Sequence, residues 1–361
     1  MTGSDLGDEL VDDEELAAFC RRELGPADTE KGEALETRRH QAGYSNETLF
    51  VRWDERELVL RRPPLGETAE SAHDVLREAG VMDAVSDTSV PVPDIVATCN
   101  DESVLGCDFF LMERLAGDVI RESEPDRFAE SDHRHTVGER LVDTLVDIHS
   151  VDYEGIGLGG FGKPEGYLER QVETFTQQLE EWLLPVTEHD REVPHIREVG
   201  SWLAENVPTE SDHTLVHGDY KLDNVMFGPG TPPEIVGVFD WELSTLGDPL
   251  ADIGWMLLFW RDANDPEPIL PSELVPTFME EDGYHTRTEL VRRYEGEADR
   301  EFTNERFYRG LAAYKIATTC EAMYARYLSG EADDPMYPTL EEGVPELAAR
   351  AKRIVDGEQP M

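Results

Sequence analysis

The sequence predicts an α+β fold in two lobes: a small antiparallel sheet carrying one helix, then a larger, mainly helical part. Three patterns lead to it. Short apolar runs separated by turn residues crowd the first third of the chain. Beyond Gly117, apolar side chains recur at helical spacing. Strand-like runs return only around 214–240, where they frame a polar loop. At 361 residues the chain is long enough for two cores.

Each element has a local reason. Leu16, Phe19, Cys20 and Leu24 share one face of a helix over 13–24, inside an acidic segment taken as 1–33. The first lobe is drawn at 34–116. In it QAGYSNETLFVRW (41–53) and ELVLRR (57–62) read as strands joined by the turn WDER, and Pro63-Pro64 stops the second. SAHDVLREAGVMDAV (71–85) reads as a helix with Ala72, Val75, Ala79 and Met82 on one side. VPVPDIVATC (90–99) and DFFLMERLAG (108–117) supply further strands. The second lobe is drawn at 117–361. Val137, Leu141, Leu145 and Ile148 mark a helix over 133–150; 167–183 and 195–206 are helix-like; and 249–355 is mostly helical, broken near 260–275 by Asp, Asn and Pro.

Charge narrows the function. Asp and Glu number 79 against 32 Lys and Arg, a formal net charge of −47. A nucleic-acid partner needs a basic surface, so it is excluded, as is an anionic membrane. Only Lys31, Lys163, Lys221, Lys315 and Lys352 are lysines. An acid-rich, lysine-poor surface suits molar salt, where the Debye length falls to about 3 Å. The expectation is a halophilic protein whose thermal stability falls as salt is withdrawn, with an acidic mesophilic surface as the alternative; unchanged melting in dilute buffer would contradict the halophilic reading. Cys20, Cys99, Cys107 and Cys320 form no CxxC pair or zinc pattern and read as free thiols. The acidic N-terminus lacks an apolar leader, and the longest strongly apolar run, IGWMLLFW (253–260), is too short to span a bilayer; a cytoplasmic location is expected.

Two glycine-rich stretches imitate phosphate loops. GIGLGG (155–160) follows no apolar strand, and in GLGGFGKP (157–164) Lys163 is followed by Pro164 rather than a hydroxyl residue; both read as turns. HGDYKLDN (217–224), between the apolar runs TLV and VMF, is different. Asp219 and Asn224 have the spacing of a phosphoryl-transfer loop, H-x-D-x-x-x-x-N. A carboxylate, Asp219, would orient an acceptor hydroxyl and take its proton. The Asn224 amide oxygen would be a hard ligand for Mg²⁺. Lys221 would point at the transferring phosphate. His217 reads as a loop brace and Asp223 as a turn residue. The strand PPEIVGVFDWE (232–242) carries Asp240 where a second Mg²⁺ ligand belongs. Asp248 reads as an N-cap with Pro249 at the first helical position, and Asp252 as a brace for the loop.

HGDYKLDN, FDWE and GDPLADIGW (247–255) together resemble the aminoglycoside phosphotransferase family, over roughly 36–350. VLRRPP (59–64), LVDTLVDIHSVD (141–152) and GYLERQVETF (166–175) resemble the kinase-like domains associated with acyl-CoA dehydrogenases. The resemblance implies a bilobal protein-kinase-like fold and places the ATP site in the first lobe. AGYSNETLF (42–50) would cover the phosphates, with Gly43 giving close backbone approach and Ser45 and Asn46 offering hydrogen bonds. The kinase fold wants a cation on the next strand paired with a helix glutamate. Arg61, which shares a strand face with Val59, is the choice, Arg62 the fallback and Glu78 the partner; the family's lysine is arginine here. Backbone groups near Glu113 and Leu115, in FLMERLAG (110–117), would meet adenine.

The expected activity is ATP- and Mg²⁺-dependent transfer of the γ-phosphoryl group to a small-molecule hydroxyl. A hydroxyacyl-CoA or hydroxy acid is favoured as acceptor, with aminoglycoside, choline, homoserine and sugar as alternatives. A nucleotide-binding pseudokinase is the rival of another class; the complete set Asp219, Asn224 and Asp240 argues against it. A protein kinase is disfavoured by the short passage from Asp240 to Pro249. Oligomeric state is not readable.

Overall fold

The computed structural model describes residues 10–26, 35–40, 46–64, 74–189, 191–209, 212–266, 268, 274–332, 334–359 and 361. Contacts divide the chain into two compact units. One is Met1–Gly117 with Val236–Glu242; the other is Asp118–Ile235 with Leu243–Met361.

The first unit is a five-stranded antiparallel sheet in the order β1-β2-β3-β5-β4. Its strands are β1 (Leu35–Arg39), β2 (Glu47–Trp53), β3 (Arg56–Arg62), β4 (Ile95–Cys99) and β5 (Phe109–Glu113). Alternation sorts the side chains. Leu58 and Leu60 of β3 join Leu49, Val51 and Trp53 of β2 and Phe109 and Leu111 of β5 in one buried cluster. Burial of each contributes roughly 1.5–3 kcal/mol. Helix α1 (Asp13–Glu23), expected as part of a separate segment, packs Leu16, Phe19 and Cys20 into the same cluster. Its N-cap is Asp12, whose carboxylate accepts from the amides of Glu14 and Glu15. Residues of opposite parity, Val59 and Arg61, are placed on the other face, where Arg61 meets helix α2 (Val75–Val85).

Three details depart from expectation. β1 has no sequence signal: LETRR lacks apolar alternation, and it holds its place at the sheet edge through backbone pairing with β2, Thr37 opposite Val51. β4 starts only at Ile95, because Pro91 and Pro93 carry no N–H for a ladder. A short helix, α3 (Glu102–Leu105), turns the chain between β4 and β5. The helix expected at 71–85 begins at Val75 behind an Asp74 cap; residues 71–73, like 41–45 of the expected first strand, lie outside the described residues.

The second unit contains α4 (Ser131–His149), α5 (Tyr167–Gln177), which runs on through π-helical turns to Leu183, α6 (Leu184–Thr187) and α7 (Ile196–Glu205). After α7 come β6 (Thr214–Val216) and β7 (Val225–Phe227); β8 (Ile235–Val238) leads into the segment that belongs to the first unit. The chain returns through β9 (Thr245–Gly247), a strand not expected from sequence, which pairs antiparallel with β6. The remaining helices are α8 (Pro249–Phe259), α9 (Arg287–Ala298), α10 (Glu305–Leu328) and α11 (Leu340–Asp356). α8, PLADIGWMLLF, is apolar nearly all round and correspondingly buried. Gly254 permits its close crossing with α10: a Cβ there would lie 2.6 Å from the Tyr308 carbonyl oxygen. The segment 155–160 forms turns. Among the described residues no helix is long and apolar enough to cross a membrane.

Candidate active site

Two groups of polar side chains, one in each unit, hold residues singled out by sequence: Asp219, Lys221 and Asn224 in one, Asn46, Arg61, Glu78 and Asp240 in the other. In the second unit, β6 and β7 carry the loop His217–Asn224 between them. Gly218 has φ +83, and a Cβ on it would lie 2.7 Å from the Leu243 carbonyl oxygen, so the turn demands glycine. Asp252, buried on α8, clamps the loop by accepting from the amides of His217 (2.7 Å) and Gly218 (2.9 Å). Burial alone would raise the Asp252 pKa; His149 and His217 outweigh it and hold the carboxylate below its usual range. His149, whose pKa burial lowers against the pull of Asp252, lies 3.3 Å from Asp252 through Nε2 and 2.8 Å from the Tyr294 hydroxyl through Nδ1. The buried His217 ring accepts the Asp219 N–H at Nδ1 (3.2 Å). Asp248 caps α8, accepting from the Leu250 amide at 2.9 Å, with Pro249 at the first helical position.

Asp219 is the focus of this frame. Its Oδ1 accepts from the Trp255 indole N–H at 2.7 Å. Its Oδ2 accepts from Lys221 Nζ and from Asn224 Nδ2, each at 2.8 Å. Asn224 Nδ2 also reaches the Asp219 carbonyl at 2.8 Å, so the amide nitrogen is turned to the loop and the amide oxygen away from it. Burial pushes the Asp219 pKa up, but Lys221, Lys315 and the hydrogen bonds outweigh it, and the net shift is downward. Asp219 is therefore a carboxylate at neutral pH. Asp223 pairs with Lys221 at 3.2 Å and is the more exposed partner.

Sequence pattern does not single out Lys315 or Trp255. Lys315, on α10, donates to the Gly218 carbonyl at 2.5 Å and sits 4.1 Å from the centre of the Trp255 ring. Burial lowers its pKa, against the pull of Asp219 and Asp252. A signal existed. Arginine supplies nearly all the basic charge of this chain, and two of its five lysines, Lys221 and Lys315, belong to this loop's surroundings. Beside the loop, the mainly apolar side chains of Ile120, Leu141, Met256, Phe259, Trp260 and Met279, with the charged Arg121, Lys221 and Asp223, line a cleft open to solvent.

In the first unit, Arg61 and Arg62 point to opposite faces of β3. Arg62 is buried on the α1 side and donates to the carbonyls of Leu10 and Pro63. Arg61 meets both carboxylate oxygens of Glu78 at 3.3 Å, Asp240 Oδ1 at 3.0 Å and the Thr48 hydroxyl at 3.0 Å. Burial would weaken the Arg61 charge; Glu78, Asp240 and Glu242 outweigh it and raise its pKa. Glu78, fully enclosed, is pushed up by burial against the opposing pull of Arg61. Asp240 follows β8 with φ 66, a left-handed conformation that Asp tolerates. The buried Asn46 donates to Glu242 at 3.2 Å. At the end of β5 the Glu113 amide is bonded to the Asp94 carbonyl at 2.9 Å, so it is not open to a ligand, whereas the Leu115 N–H has no partner among the described residues. Gly43 and Ser45 lie outside the described residues.

The chain as a whole is similar to known proteins. The model of the phosphotransferase enzyme family matches residues 36–274. Mouse acyl-CoA dehydrogenase family member 10 is 34% identical over 302 residues, 80% of this chain and 26% of its own length. Human acyl-CoA dehydrogenase family member 11 is 31% identical over 335 residues, 91% of this chain and 41% of its own. The chain thus spans well under half of either relative. A solved Ralstonia eutropha protein assigned as an aminoglycoside phosphotransferase superposes with TM-score 0.77 at 28% identity, covering 96% of this chain and 99% of that one. Choline kinase from Cryptosporidium parvum, 13% identical with TM-score 0.60, covers 96% of this chain and 97% of its own and shares the fold. This chain belongs to the phosphotransferase enzyme family and has its α+β kinase-like fold.

Proposed function

We propose that the protein transfers the γ-phosphoryl group of ATP, with Mg²⁺, to the hydroxyl of a small hydroxy acid or hydroxyacyl-CoA. The observation that carries this reading is the Asp219 carboxylate, ionised and held by three donors on a loop clamped from α8. When bound, ATP supplies the phosphoryl group and Mg²⁺ neutralises its charge. The residues present fit both. The Asn224 amide oxygen and the Asp240 carboxylate are hard oxygen donors suited to Mg²⁺. Arg61, held by Glu78, presents the cation for the α and β phosphates, and the Leu115 N–H is a donor for adenine.

Asp219 orients the acceptor hydroxyl and takes its proton. Oδ2 already accepts two hydrogen bonds and Oδ1 one, so Oδ1 is the oxygen with room for the hydroxyl. Lys221 supports the Asp219 charge and lies at the cavity, where it steadies the transferring phosphate. The cavity's apolar walls favour an acceptor with an aliphatic chain, and Arg121 offers its polar end a cation beside the Lys221–Asp223 pair. Titration of ATP in the presence of Mg²⁺ tests the nucleotide half directly: saturable binding supports the reading, and its absence overturns it.

Trp255 offers a sharper check of the base. In Trp255→Phe, Asp219 loses a donor that stabilises its anion, so its pKa rises. The acid limb of the rate profile then moves to higher pH, with a loss on the order of tenfold at neutral pH from poorer orientation. An unshifted limb in a measured pH–rate profile would contradict this role.

A further inference from the structure

Outside the residues assigned above, the described residues hold one cluster of metal-ligating type: His135 and Glu139 on α4, and His285 just before α9. Spacing of i and i+4 puts His135 and Glu139 side by side on the helix. His285 is delivered by a fixed segment. Its carbonyl accepts the Trp260 indole N–H at 2.8 Å, and the next residue, Thr286, caps α9 with a capping box to Glu289. One ligating atom from each of the three side chains lies within 4.8 Å of the other two.

One further observation points to a ligand. The His285 side chain is buried, with the whole residue only 7% exposed, and its Nδ1 has no hydrogen-bond partner among the described residues. A buried polar atom left so is costly unless a ligand satisfies it. The site also accommodates the ring closely. A Cβ on Gly138 would stand 2.8 Å from that nitrogen, and His135 stacks on His285 with centroids 3.7 Å apart. Glu139 Oε1 is taken by Arg293 at 2.8 Å. Arg293 also holds Asp143 through two bonds of 2.6 and 2.8 Å, so it keeps a partner if Glu139 turns to another cation.

We propose that His135, Glu139 and His285 bind a divalent transition metal of the Zn²⁺ class. Two imidazoles and one carboxylate suit Zn²⁺, Ni²⁺ or Cu²⁺ and discriminate against the all-oxygen preference of Mg²⁺ and Ca²⁺. Bonds of about 2.0–2.1 Å require the ligand atoms to close together and the stacked rings to part. The exposed His135 makes that movement by a rotamer change while His285 stays fixed. The bound ion would tie α4 to the segment before α9. Through the His285 carbonyl and Trp260 it would also stiffen a wall of the cavity beside Lys221. The site goes beyond the phosphotransfer reading and does not depend on it.

The test is competition for Zn²⁺ between a chromophoric chelator and the full chain, stripped of metal, in molar KCl with excess Mg²⁺. Salt screens the surface carboxylates and Mg²⁺ occupies hard-oxygen sites, which leaves nitrogen ligation as the discriminating property. Wild type should take up about one equivalent with roughly micromolar or tighter affinity and melt at higher temperature with Zn²⁺. His135→Ala, at an exposed position, and Glu139→Gln should each weaken binding by about tenfold or more and remove the melting shift. Equal Zn²⁺ affinity in wild type and His135→Ala, or no uptake by wild type, would overturn the site.

Discussion

Asp219→Asn is expected to lower phosphoryl transfer by about 10²-fold or more. The wild-type carboxylate accepts from Trp255, Lys221 and Asn224 and is ionised at neutral pH, so it is ready to take a proton. An amide has no such capacity. It also brings an NH₂ group toward three donors, so at least one hydrogen bond becomes a donor–donor conflict. ATP affinity should change little, because Arg61 and the Leu115 N–H lie in the other unit and Lys221 and Asn224 are left in place. The loop should survive: Lys221 retains Asp223, and Asp252 still clamps His217 and Gly218. Steady-state kinetics beside a thermal melt separates the two effects. Near-wild-type turnover would remove Asp219 from the chemistry.

The second large effect is expected at Asp240. Asp240→Ala should abolish Mg²⁺-dependent turnover, because the substitution removes a hard oxygen donor assigned to the ion. Arg61 should stay in place, since Glu78 and Thr48 still hold it. The backbone complicates this variant, as alanine in the left-handed region carries strain of roughly 1–2 kcal/mol. Asp240→Asn is the control: asparagine tolerates that conformation and keeps one oxygen, so it should melt like wild type yet need more Mg²⁺. Rate measured against Mg²⁺ concentration checks both. Turnover near wild type in Asp240→Ala would contradict the assignment.

The local parts of this design are legible in the sequence. HGDYKLDN shows its chemistry because the residues concerned are neighbours, and strand parity alone puts Arg61 and Arg62 on opposite faces. Asp248 and Pro249 declare a helix start through capping alone. What sequence leaves out depends on distance or on backbone. Trp255 reads as one more apolar residue of a buried helix, and only folding brings its indole N–H to Asp219, 36 positions earlier. Lys315 reaches the Gly218 carbonyl from 97 positions away. β1 carries a charged sequence whose strand character comes from pairing with β2. α1 reads as a separate acidic segment because its exposed residues dominate its composition, while Leu16, Phe19 and Cys20 complete the sheet's core. The grouping of Val236–Glu242 with the first unit leaves no mark in local pattern at all.

Phosphorylation of a small-molecule hydroxyl with Asp219 as base is the proposal on which the rest depends. The most direct test incubates wild type and Asp219→Asn with ATP and Mg²⁺ in molar KCl. The panel comprises hydroxyacyl-CoAs, hydroxy acids, aminoglycosides, choline, homoserine and sugars, with phosphorylated products read by mass spectrometry. A product from a hydroxy acid or hydroxyacyl-CoA, made by wild type and lost in the variant, is expected. A product formed equally by both proteins, or none from any acceptor while ATP binds, would contradict it.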